Sequence, residues 1–484
     1  MGYINGRLRE QAVLFPETLD DYVDGNNAVR AVEAFIEYLK FDELGFVRAQ
    51  AAETGRPGYD PRVLLGILIW GNLNGIRSSR RLERECGRNI ELMWLCGQLR
   101  PDFKTLCRFR QENGEAIGGV LVHFRMWAAG EGLFGKDLVA IDGSKFKAVN
   151  NARRSFTQGK LERLIARESR SVARYLEELE EADKNEGEER EEGLTADELK
   201  QKIATIGDYL QHHQELLHEM KESGENQKSL TDPEARLMKT AKGIDACYNV
   251  QTAVDSKHKL IVALEVTNEA VDQMQLAKMA QQAKEGLEVE KLTVVADGGY
   301  FGLEELRECE ENGITAYVPV PELGDAKRRG LFTREEFKYD ESRDVYTCPR
   351  GAELRVMSRN KKQGRNKKEF RVYATNECDG CPLRSQCTQS KHGRRIKRWV
   401  HQKVLERHQA RMRAHPEMMQ RRKELVEHPF GTIKVAMNHE RLLLKGLKKV
   451  ATEMNLAVVS YNLKRVMSIL GVVRMIESLR PQTA

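Results

Sequence analysis

Apolar positions in the first 135 residues recur at three- and four-residue spacing, a pattern that predicts helices. Asp60-Pro61 opens one that carries Val63, Leu64, Leu65, Ile67, Leu68 and Ile69. Ser78 or Ser79 is placed to cap a second through Arg80, Leu82, Glu83 and Cys86, and Pro101-Asp102 opens a third over residues 103–112. The period then changes. Residues 138–141 (LVAI) form a short apolar run ending in Asp142-Gly143 and read as a buried strand. Residues 160–228 return to helical spacing as two arms, one with Leu161, Leu164, Ile165, Val172, Leu176 and Leu179, the other with Leu199, Ile203, Ile206, Leu210, Leu216 and Leu217. Their heptads are too irregular for a coiled coil.

Strands are predicted again at 247–254 and 260–267, a helix at 272–286, and a further apolar strand at 292–296 that ends in Asp297-Gly298-Gly299-Tyr300. The last eighty residues are helical, with Leu442, Leu443, Leu447, Val450, Met454, Val458, Leu463 and Val466 at core spacing. The order describes an α/β core split by two long insertions.

Composition narrows the class. With 40% hydrophobic residues the 484-residue chain can build sizeable cores. The longest apolar run, residues 63–70, is far short of the roughly twenty that cross a membrane. No basic segment followed by an apolar core opens the chain, so a secretory signal is not expected, and nine cysteines then point to a reducing cytoplasm. The net charge of +6 hides an asymmetry: residues 177–192 hold ten acidic and two basic side chains. Residues 391–423 hold twelve basic and two acidic ones, and residues 355–371 eight and one. Such basic density suits a polyanion, and equally a solvated surface. The N-terminal helices, with Lys104, Arg108 and Arg110 expected on the surface, suit a helix-turn-helix-like DNA reader or a plain packing domain.

Asp142 and Asp297 share a context: apolar strand residues, the aspartate, then glycine. Carboxylates at the ends of adjacent buried strands converge where open α/β sheets bind ligands. There they form a hard oxygen site for Mg²⁺ or Mn²⁺, although Asp-Gly by itself also marks an ordinary turn.

Several blocks extend the pattern: TGRPGYDP at 54–61, IRSSRRLE at 76–83, AIDGSK at 140–145, YNVQ at 248–251, ADGGY at 296–300, EHPFGTIK at 427–434 and YNL at 461–463. In this order they resemble the DDE transposases of bacterial insertion sequences. The resemblance implies a ribonuclease-H-like mixed-sheet α/β core, with Asp142, Asp297 and Glu427 as catalytic metal ligands. Many relatives carry a Tyr, Arg, Glu, Lys signature, to which Gln420, Lys423, Glu427 and Lys434 correspond here. Glutamate and lysine fit; tyrosine is absent and lysine replaces arginine, so the bidentate fork is lost and Lys423 is left as a plain phosphate-contacting cation. Three carboxylates can hold two divalent ions about 3.5–4 Å apart for in-line phosphoryl transfer. The implied reaction cuts the element's end and joins the freed 3′-hydroxyl to target DNA. The implied partners are terminal inverted repeats, target DNA, and further copies of the chain, as a homodimer or larger, in the synaptic complex. A cytoplasmic, nucleoid-associated protein is expected. A transposase-derived DNA-binding protein without catalysis, or a nuclease without strand transfer, are the alternatives.

Cys378-Asp379-Gly380-Cys381, with Cys387 following and Cys348 preceding, is a possible tetrahedral Zn²⁺ site for an insertion with little apolar core of its own; free reduced thiols are the alternative. Around it, Lys361, Lys362, Arg394, Arg395, Lys397 and Arg398 are expected, with Lys434 and Lys423, to contact DNA phosphates. The domains read as 1–135, helical and DNA-binding; 136–159, 229–300 and 401–475, the catalytic core; 160–228, a helical hairpin; 301–400, a Cys-rich insertion; and 476–484, a tail.

Overall fold

The computed structural model describes residues 17–47, 58–150, 154–184, 194–321, 329–363 and 368–480. Its central sheet is organised by β1 (Leu138–Lys147) and β5 (Gly243–Asp255), which pair antiparallel from Val139↔Asp255 to Lys147↔Cys247. β1 is therefore longer than its apolar run. Asp142-Gly143 lies inside the strand, paired with Thr252 and Gln251, and is not a turn. Beyond β5 lie β4 (Arg236–Thr240) and β6 (Ile261–Thr267), both antiparallel to it. On the other side β7 (Leu292–Val295) pairs parallel with β1, and β8 (Ile314–Tyr317) pairs parallel with β7.

Alternation along β1 sends its apolar side chains to two faces. Val139 and Ile141 enter the main core, while Leu138 and Ala140 pack with Val295, Tyr317, Met418, Leu425 and Val426. The expected boundary at residue 301 cuts this sheet. β8 and the helix Leu303–Glu311 belong to it, because β8 completes the parallel side.

The helices are α1 (Ala28–Tyr38), α2 (Phe41–Leu44), α3 (Pro61–Leu73), α4 (Ser79–Glu85), α5 (Ile90–Leu95), α6 (Phe103–Glu112), α7 (Gly114–Gly130), α8 (Gln158–Lys184), α9 (Ala196–Ser223), α10 (Leu276–Leu287), α11 (Leu303–Glu311), α12 (Arg384–Cys387), α13 (Gln402–Ala414), α14 (Met418–Gly431), α15 (Leu447–Leu470) and α16 (Val472–Leu479). Local chemistry starts several of them. Asp60 accepts from the Arg62 amide with Pro61 in the first turn, and Asp102 accepts from the Thr105 amide, a cap that stabilises by about 1 kcal/mol. Ser78 precedes α4 but makes no side-chain cap. No single described helix is long and apolar enough to cross a membrane.

One apolar core runs from Val23 through the sheet to Leu479. The N-terminal helices share it, since α3 and α7 pack on α15, which is buried along its middle from Thr452 to Leu463. Met475 and Leu479 are buried in it too, so the expected tail boundary at 476 falls within a packed helix. Buried Asn462 ties α15 to the edge strand: its Oδ1 accepts from the Ile261 amide and its Nδ2 donates to the Ile261 carbonyl, both at 2.9 Å. This satisfies backbone groups that an edge strand would otherwise leave open.

The hairpin α8–α9 stands on the pair β2 (Ser155–Thr157) and β3 (Gln227–Ser229), with Phe156, Leu161, Leu216 and Met220 as its small core. Much of the acidic stretch 177–192 lies outside the described residues. Past β8, the strands β9 (Lys338–Asp340), β10 (Val345–Thr347), β11 (Glu353–Gln363), β12 (Lys368–Ala374) and β13 (Ile396–Trp399) form a second, antiparallel sheet. The sequence reading gave this insertion little core. The sheet instead buries Phe337, Tyr346, Leu354, Tyr373 and Ile396, with Tyr339 against them. Strand alternation hid these aromatics among the charges of the same stretch.

Candidate active site

The register of β1 and β7 pairs Leu138 with Thr293, Val139 with Val294 and Ala140 with Val295. Carried two residues further, it sets Asp142 opposite Asp297, which follows β7 and caps a short turn by accepting from the Gly299 amide at 2.8 Å. Asp142 shares the face of Leu138 and Ala140, so its carboxylate points to the side covered by α14. There Arg422 stands one turn before Val426. Its Nη2 donates to Asp142 Oδ1 at 2.9 Å and to Asp297 Oδ2 at 3.5 Å, and its buried Nε has no partner among the described residues. Two carboxylates thus converge on one cation. Burial raises Asp142 to about 6; Arg422 opposes that rise and Asp297 adds to it.

Lys434 reaches the same strand. Its Nζ donates to Ser144 Oγ at 2.6 Å and to the Lys145 carbonyl at 2.9 Å, and lies 4.6 Å from the centre of the Phe146 ring. Burial lowers its pKa. Lys423 is exposed on α14, and Gln420 donates only to Glu424 on the same helix, at 3.4 Å.

Glu427 is not brought to the aspartates. It is exposed on α14, and no hydrogen bond or ion pair among the described residues reaches it. Five positions separate it from Arg422, which turns it about 140° round the helix from the face over the sheet. Spacing alone places Glu427 and Lys434 on one face, but Pro429 lies between them and Lys434 itself sits in the π turn Thr432–Ala436, which breaks that phase. Among the described residues no three His, Cys, Asp or Glu side chains are grouped to hold a metal ion. The donor set nonetheless fits a hard divalent cation in kind: two carboxylates, partly shielded, aimed at one positive group.

On the opposite face of β1, Asp272 gathers three donors. Its Oδ1 accepts from Lys145 Nζ at 3.1 Å, Asn249 Nδ2 at 2.7 Å and Gln251 Nε2 at 2.8 Å. Gln251 Oε1 in turn accepts from the hydroxyl of Tyr300. Burial first, then the charges of Asp272, Asp142 and Asp297, raise the Tyr300 pKa.

Arg422, Asp272 and Tyr300 were missed as site residues. Arg422 stands one position before Lys423 and supplies the guanidinium that a fixed spacing to Glu427 did not find. The signal lay in its four-residue offset from apolar Val426.

The expected phosphate contacts differ in burial. Arg398 is buried, donates to Tyr346 Oη at 3.3 Å and Glu406 Oε1 at 2.9 Å, and lies over the Tyr339 ring. Arg394 donates to the carbonyls of Cys387 and Phe332 and lies over Phe337. Both guanidinium groups support the second sheet; Arg398 is buried in it, a correction to its reading as a DNA contact, whereas Arg394 is only partly buried and also lines the groove beside it. Arg395 and Lys397 face outward and line, with Arg334 and Met357, a groove of about 590 Å³. Lys361 and Lys362 fall in β11, but their side chains lie outside the described residues.

Cys348, Cys378, Cys381 and Cys387 are all partly buried beside this sheet. The Gly351 amide donates to the Cys348 carbonyl, the Cys381 amide to that of Cys378 and the Arg384 amide to that of Cys381, so these three sit at tight turns, while Cys387 ends α12. Burial raises the Cys387 thiol, Arg394 lowers it, and the other three sulfurs add smaller upward contributions. The four sulfurs share a neighbourhood without being grouped at metal-holding distance.

Residues 347–467 match a family model described as a transposase DDE domain, and residues 17–112 match one described as a transposase domain (DUF772). The first segment contains Arg422, Glu427 and Lys434; Asp142 and Asp297 lie between the two. Neither the curated proteins nor the solved structures gave a match.

Proposed function

This chain belongs to the DDE transposases of insertion sequences, and from that premise we propose that it cuts the ends of a mobile element and joins the freed 3′-hydroxyl to target DNA. The observation that carries this reading is the convergence of Asp142 and Asp297 on one cation. The mixed sheet, antiparallel on one side of β1 and parallel on the other, supports a ribonuclease-H-like core.

Asp142, Asp297 and Glu427 would hold the divalent ions, Glu427 being assigned by its place in the family signature. Bound there, such ions supply activation of the attacking oxygen and stabilisation of the leaving oxygen. The chain's own groups do the rest. Burial holds the Asp142 carboxyl above the usual carboxylate value, and a bound cation would favour its ionised, donating form. Arg422, which faces both aspartates, is placed to meet a phosphate oxygen with a planar pair of donors. Lys434, on the same face as Asp142, adds a cation along the same strand. Arg395, Lys397, Arg334 and Lys423 offer phosphate contacts that position DNA without reading sequence. Element ends, target DNA and a second copy of the chain are the partners of this reading. Zinc at Cys348, Cys378, Cys381 and Cys387 belongs to it through the chemistry of four thiols sharing one neighbourhood.

The test is to incubate purified protein with element ends and a plasmid target, with and without Mg²⁺, and to sequence any joints. Mg²⁺-dependent joints support strand transfer. Nicked ends without joints would leave a nuclease, and binding without cleavage a DNA-binding derivative.

A further inference from the structure

Asp142 and Asp297 lie on different strands, and their backbones part just where the two side chains begin to matter. β7 ends at Val295, while β1 runs on to Lys147 beside β5. Among the described residues no backbone hydrogen bond joins Asp297 to the segment that carries Asp142, although Ala296 just before it donates to the Tyr317 carbonyl of β8. Side chains bridge this gap. Asn249 and Gln251 project from β5 on the face of Gly143 and Lys145, their register partners, and all of them meet at Asp272, in the loop before α10. Gln251 then accepts from Tyr300, three residues beyond Asp297.

The packing leaves no slack in this bridge. A Cβ at Gly143 would stand 2.3 Å from Gln251 Nε2 and 2.8 Å from Asp272 Oδ1, so only glycine allows the amide and the carboxylate to close beside Asp142. On the turn side, the Gly299 Cβ position lies 3.9 Å from Asp272 Oδ2, and the Gly299 amide already holds Asp297 Oδ1. Asp272 therefore stands behind both strands at once. Its charge is matched by Lys145, which at 17% side-chain exposure is largely withdrawn from solvent.

We propose that Asp272 is a positioning residue of the metal site: through Gln251 and Tyr300 it sets the Asp297 turn against the Asp142 strand, so that the two carboxylates present one binding site. Asp272 contacts no substrate in this role. Lys145 Nζ also reaches its Oδ2 at 3.3 Å, so donors occupy both of its oxygens, and it acts through the geometry of the other two aspartates. Hydrogen-bond partners that orient metal ligands from behind typically change metal affinity by about 10–100-fold when removed.

This inference rests on the reading of Asp142 and Asp297 as metal ligands, and the experiment separates the two. Mn²⁺ binding to the full chain without DNA is followed by electron paramagnetic resonance for wild type, Asp142→Asn, Asp272→Asn and Tyr300→Phe, with circular dichroism and thermal unfolding on each. Asp142→Asn is expected to lose the site; if it binds Mn²⁺ as wild type does, the metal-site reading itself falls. Asp272→Asn is expected to stay folded and to bind about tenfold more weakly, and Tyr300→Phe, which removes only the hydroxyl at the far end of the bridge, to weaken in the same direction. Loss of binding in Asp142→Asn with unchanged affinity in folded Asp272→Asn overturns the proposal, even if Asp272→Asn melts earlier, since a purely structural role predicts that split. If Asp272→Asn does not fold, Tyr300→Phe decides, and wild-type affinity there overturns the proposal.

Discussion

Arg422 donates to Asp142 at 2.9 Å across 280 positions of sequence. The same nitrogen lies 3.5 Å from Asp297, so a single side chain of α14 neutralises carboxylates from β1 and from the turn after β7. Breaking a buried pair costs more than forming it gains, because the remaining charge loses its partner. Here Asp297 keeps 44% side-chain exposure, and solvent screening reduces the effect. Arg422→Ala is expected to lower stability in EDTA by about 1–2 kcal/mol. Added Mg²⁺ should recover part of that loss by neutralising the same two carboxylates. Thermal unfolding with and without Mg²⁺ measures both quantities, and a loss that Mg²⁺ leaves unchanged would detach Arg422 from the metal site.

Asp142→Asn and Asp297→Asn should each abolish Mg²⁺-dependent cleavage and joining while leaving DNA binding largely intact. Each change removes a negative oxygen from the site and keeps the side-chain shape. Gel-shift and cleavage assays on the same preparations check the pair. Near-normal cleavage by either variant removes that residue from the site.

The Asp142 carboxyl carries a stability signature of its own. Burial raises it from 3.8 to about 6. A carboxyl raised in the folded state contributes stability that is present below its unfolded value and is lost as pH rises through the folded one. Between about pH 4 and 6 the metal-free protein therefore loses stability at this site, by roughly 3 kcal/mol at pH 8 and about half that at pH 5. Asn does not titrate. In EDTA, the stability of Asp142→Asn relative to wild type should rise between pH 5 and pH 8, less whatever Arg422 loses with its partner. Denaturant midpoints at the two pH values test the sign, and an advantage that is flat or falls with pH contradicts it.

Much of the sheet was legible because its strands are apolar runs with clear ends: 260–267 and 292–296 were placed within a residue of β6 and β7. The helix at 103–112 was found whole, since its cap and its apolar spacing agree. β1 was not, because its second half, Gly143 to Lys147, is polar on one side and is held as strand by pairing with β5, a long-range fact no local pattern carries. Asp142 and Asp297 could be read as a pair from their shared context. Asp272 could not, since it sits in a polar loop whose neighbours in space come from β1 and β5. The burial of Arg398 was not legible in the charge run, because β13 takes its place in the sheet by pairing with β12, a contact no local pattern carries.

The cysteine neighbourhood predicts one zinc per chain, bound by Cys348, Cys378, Cys381 and Cys387. The aromatic core of the second sheet changes what its removal should do. A domain that depends on metal alone unfolds without it. This one keeps Phe337, Tyr346, Tyr373 and Ile396 packed, so Cys381→Ser is expected to release the metal and lower the melting temperature without unfolding the sheet. Metal analysis of protein purified without added zinc is the measurement, and a zinc-free preparation as stable as wild type ends the idea.

Glu427 is the remaining carboxylate, and its neighbours narrow the choice. Glu453 is buried, pairs with Arg77 at 2.8 Å and accepts the amides of Leu443 and Leu444, so it is committed to the core. Glu440 is exposed and paired with Lys242. Glu424 accepts from Gln420 along α14. Glu427 alone of these has no partner among the described residues. On α14 it stands beside Val426, whose side chain packs on the sheet near Leu138 and Ala140. Pro429 removes the hydrogen bond its amide would make to residue 425, and the π turn Thr432–Ala436 follows, so this end of α14 lacks the regular ladder that fixes a helix's rotation. Bringing Glu427 to Asp142 would require this end of α14 to turn by the roughly 140° that separates it from Arg422, which also takes Val426 off its apolar contact. Metal-dependent cleavage is therefore expected to be lost in Glu427→Gln and kept in Glu424→Gln and Glu440→Gln. Pro429→Ala, which restores the amide and straightens the helix, should reduce cleavage while raising thermal stability. An active Glu427→Gln beside an inactive Glu424→Gln would move the third ligand by one turn of α14 and retire this assignment.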